Sequence, residues 1–203
     1  QDAIAAAGAV PLLIALLASG KAQMPAAGAL SSLAADNAKN QQEIAKAGGV
    51  AALLSLLNVT SVETQVMAAQ AIKELTKDNA DTQDAIAKAG GIGPLLALLQ
   101  HKNVNAQAES AGALAQLARH NAANQESIAA MGGCPPLIAL LPGASGADVQ
   151  AMAAFALCEI TRAHAENQSL IADLGGVAPL TVLLKHQNPQ VRAEAAGAVW
   201  VLA

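Results

Sequence analysis

The sequence predicts an all-α solenoid, in which one helical unit is stacked five times and each copy packs mainly on its neighbours. The first observation is the line Q-x-x-I-A-x-x-G-G, which occurs five times, with Gly8-Ala9 in place of Gly-Gly in the first copy. Its glutamines are Gln1, Gln41, Gln83, Gln125 and Gln168, and its isoleucines are Ile4, Ile44, Ile86, Ile128 and Ile171. The second is the period. Successive glutamines lie 40, 42, 42 and 43 residues apart, and the leucine pairs Leu16/Leu17, Leu56/Leu57, Leu98/Leu99, Leu140/Leu141 and Leu183/Leu184 follow in register. The third is composition. Hydrophobic residues make up 54% of the 203 residues and aromatic residues only 1%, so the core is built from Ala, Leu, Ile and Val. That inventory suits helices packed close together.

The third copy shows the plan. Thr82 is expected to cap a short first helix over Gln83–Ala89, with Asn40, Asn124 and Asn167 as the equivalent caps. Gly90-Gly91 ends that helix, since Gly takes the left-handed conformation at a helix C-terminus without a Cβ penalty. Pro94, Pro136 and Pro179 mark the start of a second helix, where a missing N–H is tolerated. This helix carries Leu95, Leu96, Leu98 and Leu99, is apolar on nearly all sides, and is expected to be buried. A polar loop, Gln100 to Asn105, leads to a longer third helix with Ala111, Ala113, Leu114 and Leu117 at helical spacing. Ala69, Ala71, Ile72 and Leu75 repeat that pattern, as do Ala154, Ala156, Leu157 and Ile160. Asn37, Asn79, Asn121 and His164 form a further ladder, assigned to capping and turn formation. The fourth copy has one extra residue in its Pro142–Gly146 loop. The whole reads as a single array over 1–203, with copies at about 1–37, 38–79, 80–121, 122–164 and 165–203.

Several function classes recede on composition. A net charge of −4 argues against a broad electrostatic footprint for nucleic acid. Two cysteines, Cys134 and Cys158, are too few for a disulfide scaffold and point to a reducing compartment, cytoplasmic or nuclear. Cys134 falls in the column of Val10, Val50, Ile92 and Val177 and reads as a small core hydrophobe. The apolar stretch Ala3–Ala18 has no preceding Lys or Arg and returns in register in later copies, so it is repeat structure rather than a targeting segment. No apolar run is long enough to span a membrane. His101, His120, His164 and His186 lie in loops without metal-ligand spacing, Gly91-Ile92-Gly93 lacks the rest of a dinucleotide fingerprint, and no nucleophile–base pair stands out. Neither catalysis nor a metal nor a cofactor is expected.

The pattern I-A-x-x-G-G-x-x-P-L-x-x-L-L, followed by A-x-A-L-x-x-L-A, resembles the armadillo repeat, and the resemblance runs from Gln1 to Ala203. It implies a right-handed superhelix of five units with three helices each, whose third helices line a concave groove that holds an extended peptide. Many members of that family carry Asn in A-L-x-N-L-A to grip the peptide backbone. Here this ladder slot reads Ser32, Glu74, Gln116, Glu159 and Val201. The nuclear-import adaptors of the family add Trp four residues earlier, where this chain has Gly28, Gln70, Gly112, Phe155 and Gly197. The residues that would recognise a nuclear-localisation peptide are therefore absent, and Trp200 stands outside that column.

Candidate binding residues follow from this register: Ser32, Gln70, Glu74, Lys77, Gln116, Arg119, Phe155, Glu159 and Arg162. Glu74, Gln116 and Glu159 each precede a cation by three residues, which reads either as a charge ladder setting register on a partner or as local i,i+3 pairing on a helix. Phe155 is the apolar anchor, while Trp200 either covers an array end or binds. Gly28, Gly112 and Gly197 read equally as tight packing or as a shallow groove floor, each costing roughly 1 kcal/mol relative to Ala. The expected function is a non-enzymatic scaffold that binds an extended peptide or a helix of a protein partner along the concave groove of third helices. At about 10 Å per unit, five units span about 50 Å, room for about 12–15 extended residues at about 3.3 Å each. The alternative is a structural or engineered repeat module that self-associates through exposed array ends, or a fragment of a longer array.

Overall fold

The computed structural model describes residues 1–142 and 146–203, and all regular structure among them is helical. Fifteen helices fall into five sets of three. The first set is α1 (Asp2–Ala6), α2 (Ala9–Leu17) and α3 (Gln23–Ala34). The second is α4 (Ala38–Lys46), α5 (Gly49–Leu56) and α6 (Val62–Thr76). The third is α7 (Ala80–Lys88), α8 (Ile92–Leu98) and α9 (Val104–Ala118). Next come α10 (Ala122–Ala130), α11 (Cys134–Ala139) and α12 (Ala147–Thr161), then α13 (Ala165–Asp173), α14 (Val177–Leu183) and α15 (Pro189–Leu202). The extra residue expected in the Pro142–Gly146 loop falls on 143–145, outside the described residues. Among the described residues no helix is long and apolar enough to cross a membrane.

In the second to fifth copies the first helix starts one turn earlier than the sequence suggested. The caps are the ladder residues: Asn37, Asn79 and Asn121 accept at Oδ1 from the amides of Asn40, Thr82 and Asn124, each at 3.1 Å. His164 accepts from the Asn167 amide through Nδ1 at 3.4 Å. Thr82, Asn40, Asn124 and Asn167, expected as caps, are instead buried inside the helices. The three asparagines among them donate from Nδ2 to Leu33, Leu117 and Ile160 carbonyls at 2.9 Å, tying each first helix to the end of the preceding third helix. Asn serves both positions well, which is why side-chain type alone did not separate them.

Why Ile and Gly-Gly travel together is now physical. Gly90 takes φ +80, and the Gly91 amide donates to the Ile86 carbonyl at 2.9 Å, closing the helix end. A Cβ on Gly91 would lie 2.7 Å from Ile86 Cγ2, so the second Gly is required for the Ile to pack. Ile44, Ile86, Ile128 and Ile171 are fully buried, whereas Ile4, whose copy has Ala9 in that place, lies exposed.

The third helices form the spine, α3 packing on α6, α6 on α9, α9 on α12 and α12 on α15. Ala69, Ala111 and Ala154 have no exposed surface, and neither do Ile72, Leu114 and Ile160. The loop before α9 ends at Asn103 rather than Asn105, because Asn103 Oδ1 caps the helix by accepting from the Asn105 and Ala106 amides. The second helices are buried only inside the array. Leu95 and Leu98 are covered in α8, but Leu12 and Leu16 in α2 and Val177, Val182 and Leu184 at α14 are exposed. An apolar helix needs neighbours on both sides to be buried, and the outer copies have a neighbour on one side only.

A polar seam runs through this apolar stack. Gln83 Nε2 donates to three carbonyls, Thr76 at 3.3 Å, Gln116 at 2.8 Å and Arg119 at 3.2 Å, joining the ends of α6 and α9. Gln41 and Gln125 do the same between α3 and α6 and between α9 and α12. The cap of the next copy closes the seam from the other side: Asn79 Nδ2 donates to Gln41 Oε1 at 3.0 Å. Intrahelical donors run out at a helix end. The Thr76 carbonyl also accepts from the Asn79 amide at 3.3 Å, so the glutamine is its second donor, while for the Gln116 and Arg119 carbonyls it supplies the bond across the junction. The glutamine column that marks the repeat in sequence is therefore the bolt between third helices.

Candidate functional site

The spacing of Glu109, Gly112 and Gln116 puts them on one face of α9, since residues three or four apart on a helix are neighbours. The corresponding face of α6 carries Gln70, Lys73 and Glu74, with Lys77 just past its end, that of α12 carries Met152, Phe155 and Glu159, and that of α15 carries Glu194. Side by side, these faces make one continuous surface along the third-helix layer.

Charge on this surface is mostly compensated between repeats. Lys73 Nζ lies 2.7 Å from Glu109 Oε2, bridging α6 and α9, and 4.0 Å from Glu74. Lys77 reaches back to Asp36 at 2.6 Å and Arg119 to Asp78 at 3.5 Å. Of the three i,i+3 pairs expected from the sequence, only Glu159–Arg162 closes: Glu74 and Gln116 do not hold Lys77 and Arg119. The hydrogen bond to Asp36 holds the Lys77 ammonium above the usual lysine range. Arg162 contacts both carboxylate oxygens of buried Glu159, with its Nη2 2.9 Å from Oε1. The same nitrogen lies 3.3 Å from Cys158 Sγ, and burial pushes that thiol up to about 11. Cys134 is likewise buried and pushed up to about 11, in keeping with a core role. Glu194 has no ion-pair partner among the described residues. Burial and the nearby Glu159 carboxylate raise its pKa above the usual carboxylate range.

The remaining expected residues are placed as follows. Ser32 is exposed, and its Oγ donates to the Gly28 carbonyl of its own helix at 3.0 Å. Gln70 and Phe155 are half-buried. Gln116 is 9% exposed, and its Oε1 has no hydrogen-bond partner. One other buried side-chain oxygen among the described residues shares that condition, Asn40 Oδ1, but it belongs to a residue with no exposed surface at all.

Sequence reasoning missed Lys73, Glu109, Met152 and Glu194. Each stands one or seven residues before the ladder slot, so the helical spacing that found Gln70 and Phe155 would have found them too. Of the three glycines, the central one is not an open floor. A Cβ on Gly112 would come within 2.9 Å of Lys73 Cδ and 3.3 Å of Met152 Sδ, which settles that position as close packing. Beside it lies a cavity of about 350 Å³ whose lining includes Lys73, Val104, Ala108, Glu109 and Met152.

Comparison with known proteins agrees with this architecture. The family model described as armadillo/beta-catenin-like repeat matches residues 37–77, 79–119 and 164–203. A search of curated proteins finds no match. Among solved structures, an engineered protein is 34% identical with a TM-score of 0.91, over 95% of this chain and 78% of that one. A designed armadillo repeat protein in complex with the peptide (KR)4 is 26% identical with a TM-score of 0.91, over 100% of this chain and 85% of that one. Computationally designed armadillo repeat proteins for modular peptide recognition are similar at 25% identity and a TM-score of 0.85, over 95% and 81% of the two chains. With three matched segments covering more than half of its residues, the chain belongs to the armadillo/beta-catenin-like repeat family.

Proposed function

We propose that this chain is a non-enzymatic scaffold that binds an extended peptide along the face of its third helices. The observation that carries the reading is Gln116, a buried amide oxygen without a partner in the central ladder slot. An unsatisfied buried acceptor costs about 1–3 kcal/mol, and a backbone N–H of a bound peptide would supply the missing donor. Gln70, Glu74 and Glu159 flank it along the ladder face, and half-buried Phe155 offers an apolar anchor next to it. The charge balance favours a cationic residue in the partner, because Lys73, Lys77, Arg119 and Arg162 are already paired while Glu194 is not. The designed neighbour bound to a Lys-Arg peptide supports the same reading.

The test is fluorescence polarisation with labelled peptides, beginning with a Lys-Arg repeat and with the same peptide carrying one aliphatic residue. Binding should saturate and weaken about tenfold in Gln116→Met, the loss of one hydrogen bond made on binding. If neither peptide binds, or if Gln116→Met and Phe155→Ala bind as tightly as the parent, the reading fails.

A further inference from the structure

Of the cations on the third-helix face, Lys77, Arg119 and Arg162 stand just past the ends of their helices, whereas Lys73 lies within α6. Its slot, one residue before the ladder slot, is held in the other third helices by Ser31, Ala115, Cys158 and Trp200, none of them charged. The Lys73 stem lies over Gly112 of α9, with Cδ 2.9 Å and Cγ 3.8 Å from where a Cβ on that glycine would stand. Its ammonium is 2.7 Å from Glu109 Oε2 and 4.0 Å from Glu74 Oε1. Each of these three side chains keeps only 20–24% of its surface in water. With a lysine stem on a glycine and the head beside two carboxylates, α6 and α9 form a cation subsite that the chain fills itself.

Two repeats further on, the same register recurs with one change. Glu194 stands where Glu109 does, seven residues before the ladder slot, and Gly197 stands where Gly112 does. The Lys73 slot is now Cys158, whose Sγ lies 3.7 Å from where a Cβ on Gly197 would be. The α12–α15 junction therefore packs well without a lysine in that slot, and Glu194 has no ion-pair partner among the described residues. A cationic side chain of a partner meets different conditions at the two junctions. At α12–α15 it meets a carboxylate without a cation. At α6–α9 it meets the Lys73 ammonium and enters only by displacing it, which trades one ion pair for another without gain.

We infer that Lys73 sets the charge pattern of the partner: the bound peptide carries a cation where it crosses α12–α15 and none where it crosses α6–α9. This rests on peptide binding at the third-helix face. The two junctions are two repeats apart, about 20 Å at about 10 Å per repeat. At about 3.3 Å per extended residue, the cation and the uncharged residue are about six positions apart in the partner. Lys73 acts on specificity rather than affinity. It costs a partner that is uncharged at this point nothing, and it disfavours one that is basic throughout by placing like charges together.

The test is fluorescence polarisation of the labelled Lys-Arg repeat peptide with four forms of the full chain: parent, Lys73→Met, Lys46→Met, and Lys73→Met combined with Glu109→Gln. Methionine keeps an unbranched stem over Gly112 and removes the charge. Circular dichroism checks that helicity is unchanged, and Lys73→Gln makes the same comparison should methionine disturb the fold. Lys73→Met should bind about tenfold tighter than the parent, because Glu109 is then open to a partner cation. Lys46→Met loses the same charge from the exposed end of α4 and should change binding by less than about twofold. Adding Glu109→Gln should remove most of the gain. A Lys73→Met form that binds no tighter than Lys46→Met, or a gain that survives Glu109→Gln, overturns this inference and leaves peptide binding standing. Absence of binding in all four forms overturns both.

Discussion

Arg162 pairs with Glu159 on its own helix, at 2.9 Å, whereas its counterparts Lys77 and Arg119 reach back across a repeat to Asp36 and Asp78. The difference follows from one residue. The position that holds Asp36 and Asp78 is His120 in the next copy, so Arg162 finds no carboxylate behind it and turns to Glu159. The rim ladder thus ends at the fourth copy, and its last cation turns to the carboxylate of its own helix.

Arg162→Ala should destabilise the chain by about 2 kcal/mol, because it leaves the buried Glu159 carboxylate uncompensated. Lys77→Ala removes a pair whose Asp36 is largely exposed and should cost roughly 0.5 kcal/mol. Chemical denaturation of the two variants gives the comparison. Equal losses would show that burial of Glu159 carries no weight.

Gln116→Met should stabilise the unliganded chain by about 1 kcal/mol while weakening peptide binding, since it removes an unsatisfied buried oxygen of similar volume. Thermal unfolding and polarisation on the same protein separate the two effects. A destabilised variant would mean that the oxygen has a partner in solution.

Four residues end third helices in the left-handed region without being glycine: Asp36, Asp78, His120 and Ala163. Both Asp side chains are anchored by cations, but Ala163, at φ +55, has only its methyl group. Ala163→Gly should therefore raise stability by about 0.5–1 kcal/mol, the relief of a Cβ clash less the entropy of Gly. A lower melting temperature would contradict this.

The seam glutamines differ in reach. Gln83→Ala removes a donor from three carbonyls, of which Thr76 keeps the Asn79 amide, and should cost about 2–4 kcal/mol, whereas loss of Gln168, whose one donation among the described residues goes to the Thr161 carbonyl, should cost about 1 kcal/mol. Hydrogen exchange should show the loss in Gln83→Ala at the α6–α9 junction first. Uniform loosening along the chain would argue against a local bolt.

Glu194 sets a pH dependence. Its folded pKa is raised, so the folded state holds the proton more tightly than the unfolded state. Its contribution to stability is present at low pH and is lost as pH rises through the folded value. Glu194→Gln should then raise stability at neutral pH by roughly a few tenths of a kcal/mol and flatten the slope just above the ordinary carboxylate range. Unfolding of both forms from pH 4 to 7 gives the measurement. An unchanged slope would place Glu194 in water.

By itself the sequence determined the repeat, its three helices and its core columns. Ile86, Gly90 and Leu95 answer to local rules: a helix end needs a residue free to take φ > 0, and an apolar stripe needs a neighbour. The capping ladder was equally legible at Asn79, though its competitor Thr82 was not excluded, because both are good caps and only the buried surroundings of Thr82 separate them. What the tertiary structure decided is everything that depends on the neighbouring repeat. That Gln83 bolts two helices, that Lys73 covers Gly112, and that Arg162 turns inward for want of an Asp at His120 are facts about side chains brought together from about 35–45 residues apart. Periodicity fixes the register of such residues, but which partner each one takes depends on distance and burial, and those exist only once the helices are stacked.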